Sequence, residues 1–576
     1  MSFSLHGVGV SRGIAIGRAH IIERAELDIV EYSISDEAAP SEIQRLREAI
    51  TQAKLDLRAV REQIPAKTAV DIAAFIDTHL LMLQDSTFTF DTERIIKERR
   101  CNAEWALKLQ HDALAQAFDD MDDPYLRTRK DDVDHVVSRI QRILLNHAPL
   151  KLEIQGHRLA GMIVLADELT PADTVLMKRN GVAAFATNSG GPTSHMSILA
   201  RSLGIPGIVG VHGIRKYVRE NELLIIDAIE GVVVGDADGA IVAFYRDKQA
   251  ERQRHIVSLN RLRNAPAVTR DGCAVDLQAN VDVPEDFVAA HDVGASGVGL
   301  YRTEFLYMNR SGSPDEQEHF ESYRSLIEAL EGLPVTIRTL DLGADKDFGL
   351  QPARHVAANP ALGLRAIRLS LREPSLYWPQ LRAIVRASAF GPVRLLIPML
   401  STLEEVRQVV TNVRAVQSDC EKNGMAFDTT MPIGGMIEVP AAAICADQFA
   451  QYLDFFSIGT NDLIQYTIAI DRINDAVNYL YDPLNLAVLR LIAGTIDAGA
   501  VEKIPVGMCG EMAGDTRYTR LLLGLGLRQF SAHPSLLLEL KHIVNETNVS
   551  RIEKSARAAL QATNPDELKA LLATLV

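Results

Sequence analysis

Eight short apolar runs recur through the second half of the chain, and this recurrence limits the possible folds more than any other feature. They are VDLQANV (275–281), GVGLY (297–301), VTIRTL (335–340), VRLLIPM (393–399), IGGMIEV (433–439), DFFSIG (454–459), IPVGM (504–508) and RQFSA (528–532), separated mostly by helical pattern. Eight alternating β/α units point to a parallel (β/α)8 barrel of the TIM type. Such a barrel carries its chemistry at the C-terminal ends of its strands, so reactive side chains belong just after the apolar cores. They are there. Arg302 and Glu304 follow the second run, Arg338 and Asp341 end the third, and Glu438 ends the fifth. Thr460, Asn461 and Asp462 follow the sixth, and Cys509 and Glu511 follow the seventh.

The chemistry of this rim is that of a small polyanion and a hard cation. Arginine presents a planar fork of donors that matches phosphate or carboxylate, so Arg302, Arg338 and the later Arg472 form a candidate clamp. Glu438 and Asp462 supply hard oxygen ligands suited to Mg²⁺, and Asn461 can donate to a phosphate oxygen. Phosphoryl transfer needs positioning and charge neutralisation above all. The alternative is that these groups pair with one another as ion pairs at the barrel mouth. Cys509, in GMCGEM (507–512), reads either as an inert buried thiol or as a group able to exchange a proton with a carbanion or enolate.

The first half of the chain reads differently. Residues 1–20 are short strands broken by glycines, and from about 25 to 145 the pattern is helical. Ile43, Leu46, Ile50, Ala53, Leu57, Val60 and Ile64 form a heptad seam ended by Pro65, which implies a helical bundle. The acidic stretch FDDMDD (118–123) is a candidate rim or a solvated turn. Short strands and helices then alternate from about 150 to 235, as in GMIVLAD (161–167) and ELLIID (222–227), and the N-terminal strands are expected to return to this α/β domain. The layout is therefore an α/β domain over 1–24 and 146–240, an inserted bundle over 25–145, a connector helix over 241–264 and a barrel over 265–576.

Within the α/β domain, GGPTSHMSILARSLG (190–204) reads as a glycine turn, a hydroxyl N-cap and a helix closed by Gly204 and Pro206. His195 falls in the first turn. There the free amides and the helix dipole favour a phosphate on the imidazole and keep the ring neutral, as a nucleophile requires. Attack of a ring nitrogen on phosphorus would give a phosphohistidine. A histidine near a helix start can equally be a cap or a surface residue.

Charge and cysteine usage exclude some classes. A formal net charge of −15 disfavours nucleic acid and suits a basic protein partner. The five scattered cysteines form no CxxC pair, which fits a reducing, cytoplasmic setting. The N-terminus does not read as a signal peptide, and no run of about 20 apolar residues predicts a membrane span.

GGPTSHMSILARSLGIPGIVG resembles the phosphohistidine signature of the enzymes that use phosphoenolpyruvate, and DFFSIGTNDLIQYTIAIDR (454–472) resembles their second signature. YRTEFLYM (301–308), IRTLDLGADK (337–346), GLRAIRLSL (363–371) and GMCGEMAGD (507–515) agree with them. End to end, the chain resembles the Enzyme I family of the phosphoenolpyruvate:sugar phosphotransferase system.

The resemblance implies that His195 is phosphorylated through Nε2 and that Thr174 orients its ring. It implies that Arg302, Arg338, Asn461 and Arg472 hold phosphoenolpyruvate with help from Arg365, that Glu438 and Asp462 ligate Mg²⁺, and that Cys509 protonates the enolate to pyruvate. It further implies that the helical insert binds the phosphocarrier protein HPr, that the barrel carries a homodimer interface, and that the histidine domain swivels about the connector. Pro192, Ile473 and Asn485 depart from the common pattern, and His533 is expected to interrupt the last strand end.

Pyruvate, phosphate dikinase and phosphoenolpyruvate synthase share both signatures but need an ATP-binding domain for which the chain has no room, and no P-loop is found. The nitrogen-branch paralogue carries an N-terminal sensory domain that is not expected here. A purely regulatory phosphorelay or an inactive scaffold are the remaining alternatives.

Overall fold

The computed structural model describes residues 2–22, 29–63, 78–84, 86–119, 124–145, 159–169, 171–190, 196–197, 200, 203–282, 285–307, 312–343, 359–472 and 477–575. The chain divides into two compact units, Met1–His255 and Ile256–Val576.

The first unit contains an eight-stranded sheet and a helical bundle. The strands are β1 (Phe3–His6), β2 (Val8–Ser11), β3 (Ile14–Ile21), β4 (Ile163–Ala166), β5 (Ala184–Thr187), β6 (Gly207–Val209), β7 (Leu223–Asp227) and β8 (Val232–Gly235), in the order β1-β8-β7-β3-β4-β5-β6-β2. The N-terminal strands thus return to the later ones, as expected. Strands β3 to β6 run parallel, and the others pair antiparallel around them. Alternation along a strand sends neighbours to opposite faces. Val164, Ala166 and Phe185 feed one core, while Ile163, Leu165, Ala184 and Ala186 feed a second on the other face. Burial on both faces is why β4 and β5 read as unbroken apolar runs rather than alternating ones.

The bundle contains helices Ala39–Gln63, Ser86–Arg99, Ala103–Asp119 and Pro124–Leu144, with a further helical stretch over 78–84. Ile43, Leu46, Ile50, Ala53 and Leu57 of the heptad seam are all buried in its core. The Val60 side chain, Ile64 and Pro65 lie outside the described residues, as do residues 120–123 of the acidic stretch. The helix expected over 241–264 runs over Gly239–Asn260. Ile241, Val242 and Tyr245 pack on Ile225 and Val234, and Lys248 Nζ pairs with the buried Asp227 carboxylate at 2.6 Å.

The second unit is a barrel. Strands β9 (Asp276–Val281), β10 (Val298–Tyr301), β11 (Val335–Arg338), β12 (Val393–Ile397), β13 (Ile433–Ile437), β14 (Phe455–Ile458), β15 (Val506–Met508) and β16 (Gln529–Ala532) close in sequence order, with β16 returning to β9. Every pairing is parallel. Each strand falls inside one of the eight apolar runs, and the residues left over at the run ends form the rim. Strand β12 stops at Ile397 because Pro398 has no amide to donate and Met399 adopts a left-handed φ of 60°.

His533 corrects an expectation. It does not interrupt the last strand: β16 ends at Ala532, and His533 is the N-cap of helix Pro534–Glu546, its Nδ1 accepting from the Ser535 amide at 3.3 Å. Asn485 likewise has a local role, its Oδ1 accepting from the Ala487 amide at 2.9 Å at the start of helix Leu486–Glu502. Pro192 and Ile473 lie outside the described residues.

Candidate active site

Arg338 occupies the last position of β11 and points its charge into a buried lattice of ions. Its Nη2 donates to Glu304 Oε1 at 3.0 Å, and its Nη1 pairs with Asp341 Oδ2 at 3.1 Å. Arg365 Nη2 donates to Asp341 Oδ1 at 2.8 Å, and the Asp341 amide donates to Glu304 Oε1 at 2.9 Å. Burial works against the Arg338 charge, but Glu304, Asp341 and Glu438 outweigh it and keep the guanidinium ionised. The rim groups therefore do pair with one another, yet the pairing is incomplete. Arg338 Nε, Arg365 Nε and Glu304 Oε2 are buried without a hydrogen-bond partner among the described residues. A buried guanidinium N–H left unmatched is costly in an inert scaffold and useful in a site that receives anionic oxygens.

Two further arginines are more exposed. Arg302, just past β10, pairs with Asp282 at 2.8 Å, and Arg472 lies 3.9 Å from Asp462. Both contacts are partly open to solvent, where an ion pair contributes little and its partners exchange readily.

The acidic side of the rim is built by β13 and β14. Glu438 directly follows β13 and is buried, its Oε1 accepting the Met399 amide at 2.6 Å. The left-handed turn at Met399 accompanies this hydrogen bond, and the loop after β12 thereby supports the carboxylate. Gly459 sits beside Glu438 because a Cβ there would come within 2.9 Å of Glu438 Oε2. Burial, together with Asp341 and Asp462, pushes the Glu438 carboxyl up to about 8. Asn461 and Asp462 lie in the first turn of helix Thr460–Ile468 after β14. Asn461 is engaged with Glu511: its Nδ2 donates to Oε1 at 3.2 Å, and its Oδ1 accepts the Glu511 amide at 2.9 Å.

Cys509 follows β15 and is buried. Its amide donates to the Ile458 carbonyl at 3.1 Å, and its Sγ lies 3.8 Å from the same oxygen. Burial pushes the thiol pKa up, against a hydrogen bond with Ser457 and the attraction of Arg338. The thiol therefore keeps its proton at neutral pH.

These observations test the candidate metal site. Asp462 is close enough to Glu438 to oppose its ionisation, and a divalent cation relieves that opposition. Among the described residues no three His, Cys, Asp or Glu side chains group to hold a metal by themselves. A pair of carboxylates with hard oxygens, completed by substrate and water, is what Mg²⁺ accepts.

The barrel thus gathers Arg302, Arg338, Arg365, Glu438, Asn461, Asp462, Arg472 and Cys509 on one rim. His195 lies outside the described residues, although Met196 and Ser197 beside it are helical and buried, as the sequence pattern requires. Thr174 is buried in helix Pro171–Arg179. Sequence reasoning missed Met399, whose conformation no local pattern betrays. It also missed Asp282, the partner of Arg302.

Comparison with known proteins bears on the same regions. Residues 257–549 match the model of the PEP-utilising enzyme, PEP-binding domain, residues 6–129 that of the N-terminal domain, and residues 159–231 that of the mobile domain. The phosphoenolpyruvate-protein phosphotransferase of Cupriavidus necator is 45% identical over 100% of both chains. The chain belongs to the phosphoenolpyruvate-protein phosphotransferase family. Members from Listeria monocytogenes (38% identical, 99% of each chain) and Bacillus subtilis (38% identical, 99% of each chain) extend the match to more distant relatives. The PEP-binding match of the phosphotransferase family coincides with the barrel, and the mobile-domain match coincides with β4 to β7 of the sheet.

Proposed function

We propose that this phosphotransferase takes the phosphoryl group of phosphoenolpyruvate onto His195 and passes it to the phosphocarrier protein HPr, releasing pyruvate. The observation that carries the reading is the rim of β10, β11 and their loops. Two guanidinium groups, of the buried Arg338 and the half-buried Arg365, keep buried Nε donors with no partner among the described residues, near a carboxylate pair, in a chain of this family. Arg302, Arg338, Arg365 and Arg472 bind and orient the phosphate and carboxylate of the substrate. Asn461 turns from Glu511 to a phosphate oxygen.

Glu438 and Asp462 hold Mg²⁺, which when bound neutralises phosphoryl charge and polarises the oxygens it touches. The imidazole of His195 supplies an electron pair to phosphorus, the bond from phosphorus to the enol oxygen breaks, and the electrons remain on the enolate. The Cys509 Sγ proton passes to C3 of the enolate, giving pyruvate and a thiolate. The raised thiol pKa keeps that proton available until the enolate forms.

The remaining assignments follow the same reading. The mobile domain over 1–24 and 146–240 carries the histidine, the insert over 25–145 receives HPr, and the helix connecting to the barrel over 265–576 serves as a hinge. The barrel forms a homodimer, for which exposed Ile444, Tyr479 and Val501 offer apolar surface. The enzyme works in the cytoplasm at the head of sugar transport. The free state of the five cysteines is in keeping with that compartment, and no helix among the described residues is long and apolar enough to cross a membrane.

The test is direct. Purified protein given Mg²⁺ and phosphoenolpyruvate labelled in its phosphate, without ATP, is expected to acquire an acid-labile, base-stable label. His195→Ala and EDTA should each abolish it. Equal labelling of the His195→Ala protein, or none in wild type, would remove the mechanism.

A further inference from the structure

Cys509 is set in place from across the barrel closure, by side chains to which none of the roles above is given. Asn280, the fifth residue of β9, donates from Nδ2 to the Cys509 carbonyl at 3.0 Å. Its Oδ1 in turn accepts from Ser531 Oγ of β16 at 2.6 Å. The two bonds fix the amide orientation of Asn280, because its only acceptor atom faces the hydroxyl and its donor faces the carbonyl.

The neighbouring strand is shaped around this pair. Gly299 of β10 lacks a side chain where a Cβ would collide with Ser531 Oγ and Gln278 Oε1. Ser531 is buried, and it borders a cavity of about 20 Å³ also lined by Gln278, Thr336 and Ser457. That volume is room for about one water, so the polar groups behind Cys509 need not be left dry.

A barrel interior filled by side chains is ordinarily dominated by branched aliphatics. A polar brace here costs packing energy and returns geometric definition: the backbone carrying the thiol is pinned to β9 and β16 as well as to β14. We infer that Asn280, itself held by Ser531, is a positioning residue for proton delivery by Cys509, fixing the face of the enolate that the thiol addresses. The inference rests on the proton-donor role proposed above for Cys509. The step it serves breaks the S–H bond and forms the C3–H bond, leaving a thiolate and pyruvate, with no other reactant.

The experiment uses the full-length enzyme with Mg²⁺, an acceptor phosphocarrier, and phosphoenolpyruvate carrying one deuterium and one tritium stereospecifically at C3. In ordinary water the product methyl group is chiral, and its handedness reports the face of protonation. Wild type is expected to give one enantiomer. Asn280→Ala is expected to lose most of that excess, the enolate escaping to be protonated in bulk water from both faces, and Ser531→Ala to lose part of it.

Two outcomes separate the levels of the claim. If Cys509→Ala still yields the wild-type enantiomer, the proton-donor assignment itself fails. If Cys509→Ala loses chirality while Asn280→Ala and Ser531→Ala turn over slowly with full enantiomeric purity, the brace is structural only and the inference is overturned. Should Asn280→Ala not fold, Ser531→Ala, which keeps the Asn280 donor, decides the matter alone.

Discussion

Glu438 is a carboxyl whose surroundings oppose its ionisation. A carboxyl whose pKa rises from 4.5 to about 8 on folding binds its proton more tightly in the native state. Between those two values the native protein carries more protons than the unfolded chain, so stability falls as pH rises. The slope from one such group is at most about 1.4 kcal/mol per pH unit. Melting of EDTA-treated protein is therefore expected to weaken from pH 6 to pH 8 in wild type and to change less in Glu438→Gln, whose amide does not ionise. A parallel loss in both proteins would mean that Glu438 is already ionised in the native state. At this scale the sequence was generous with identities and silent on environment. Glu438 was found because it ends an apolar run, but its burial depends on Met399, which turns an amide onto it from a loop 39 residues away.

At the scale of elements, the loops after β10 and β11 are tied together by a buried network. Gln380, on helix Pro374–Ala387, accepts the Leu340 amide at 3.0 Å and donates to Thr303 Oγ1 at 3.0 Å and to Tyr323 OH at 3.2 Å. Thr303 Oγ1 donates onward to the Arg338 carbonyl at 3.0 Å, and Tyr323 OH meets His319 Nδ1 at 3.0 Å. One amide thereby sets the spacing of Arg302 and Arg338. Gln380→Leu fills the same volume but strands the Leu340 amide, at a cost of about 1–3 kcal/mol for a buried group left unsatisfied, and removes one of the two bonds made by Thr303 and by Tyr323. The substitution is expected to lower the denaturation midpoint and to raise KM for phosphoenolpyruvate more than it lowers kcat; an unchanged KM would separate the network from the arginine clamp.

The contrast between this network and the strands shows what a sequence displays. All eight barrel strands were legible because apolar runs and helical spacers repeat along the chain, a local signal. Gln380, Asn280 and Ser531 were not, because a hydrogen bond between residues far apart in the chain leaves no periodicity at either end. The seam from Ile43 to Leu57 was legible for the same reason as the strands, whereas the cap formed by His533 was misread because a polar residue after a strand looks like a flaw until the next helix is seen to need it.

For the whole molecule, the division into Met1–His255 and Ile256–Val576 makes two-state unfolding an unsuitable description. Calorimetry of the full chain is expected to resolve two transitions. Mg²⁺ with phosphoenolpyruvate at about 100 times its Kd should stabilise one of them by about 2.7 kcal/mol and leave the other in place, since every rim residue identified lies in the second unit. A single transition would mean that the two units unfold together, and an equal shift of both would place binding energy in the first unit as well.

Closure of the barrel by β16 onto β9 has a consequence for how the protein comes into being. A ribosome releases β9 early in the second unit and β16 close to its end. During that interval the arginines and the carboxylates emerge one after another with no ring on which to mount them, and the open edge of β9 has no lateral partner. Competence to bind substrate therefore arrives all at once, after residue 532 has emerged, and a premature stop anywhere before it forfeits the whole site rather than a portion of it.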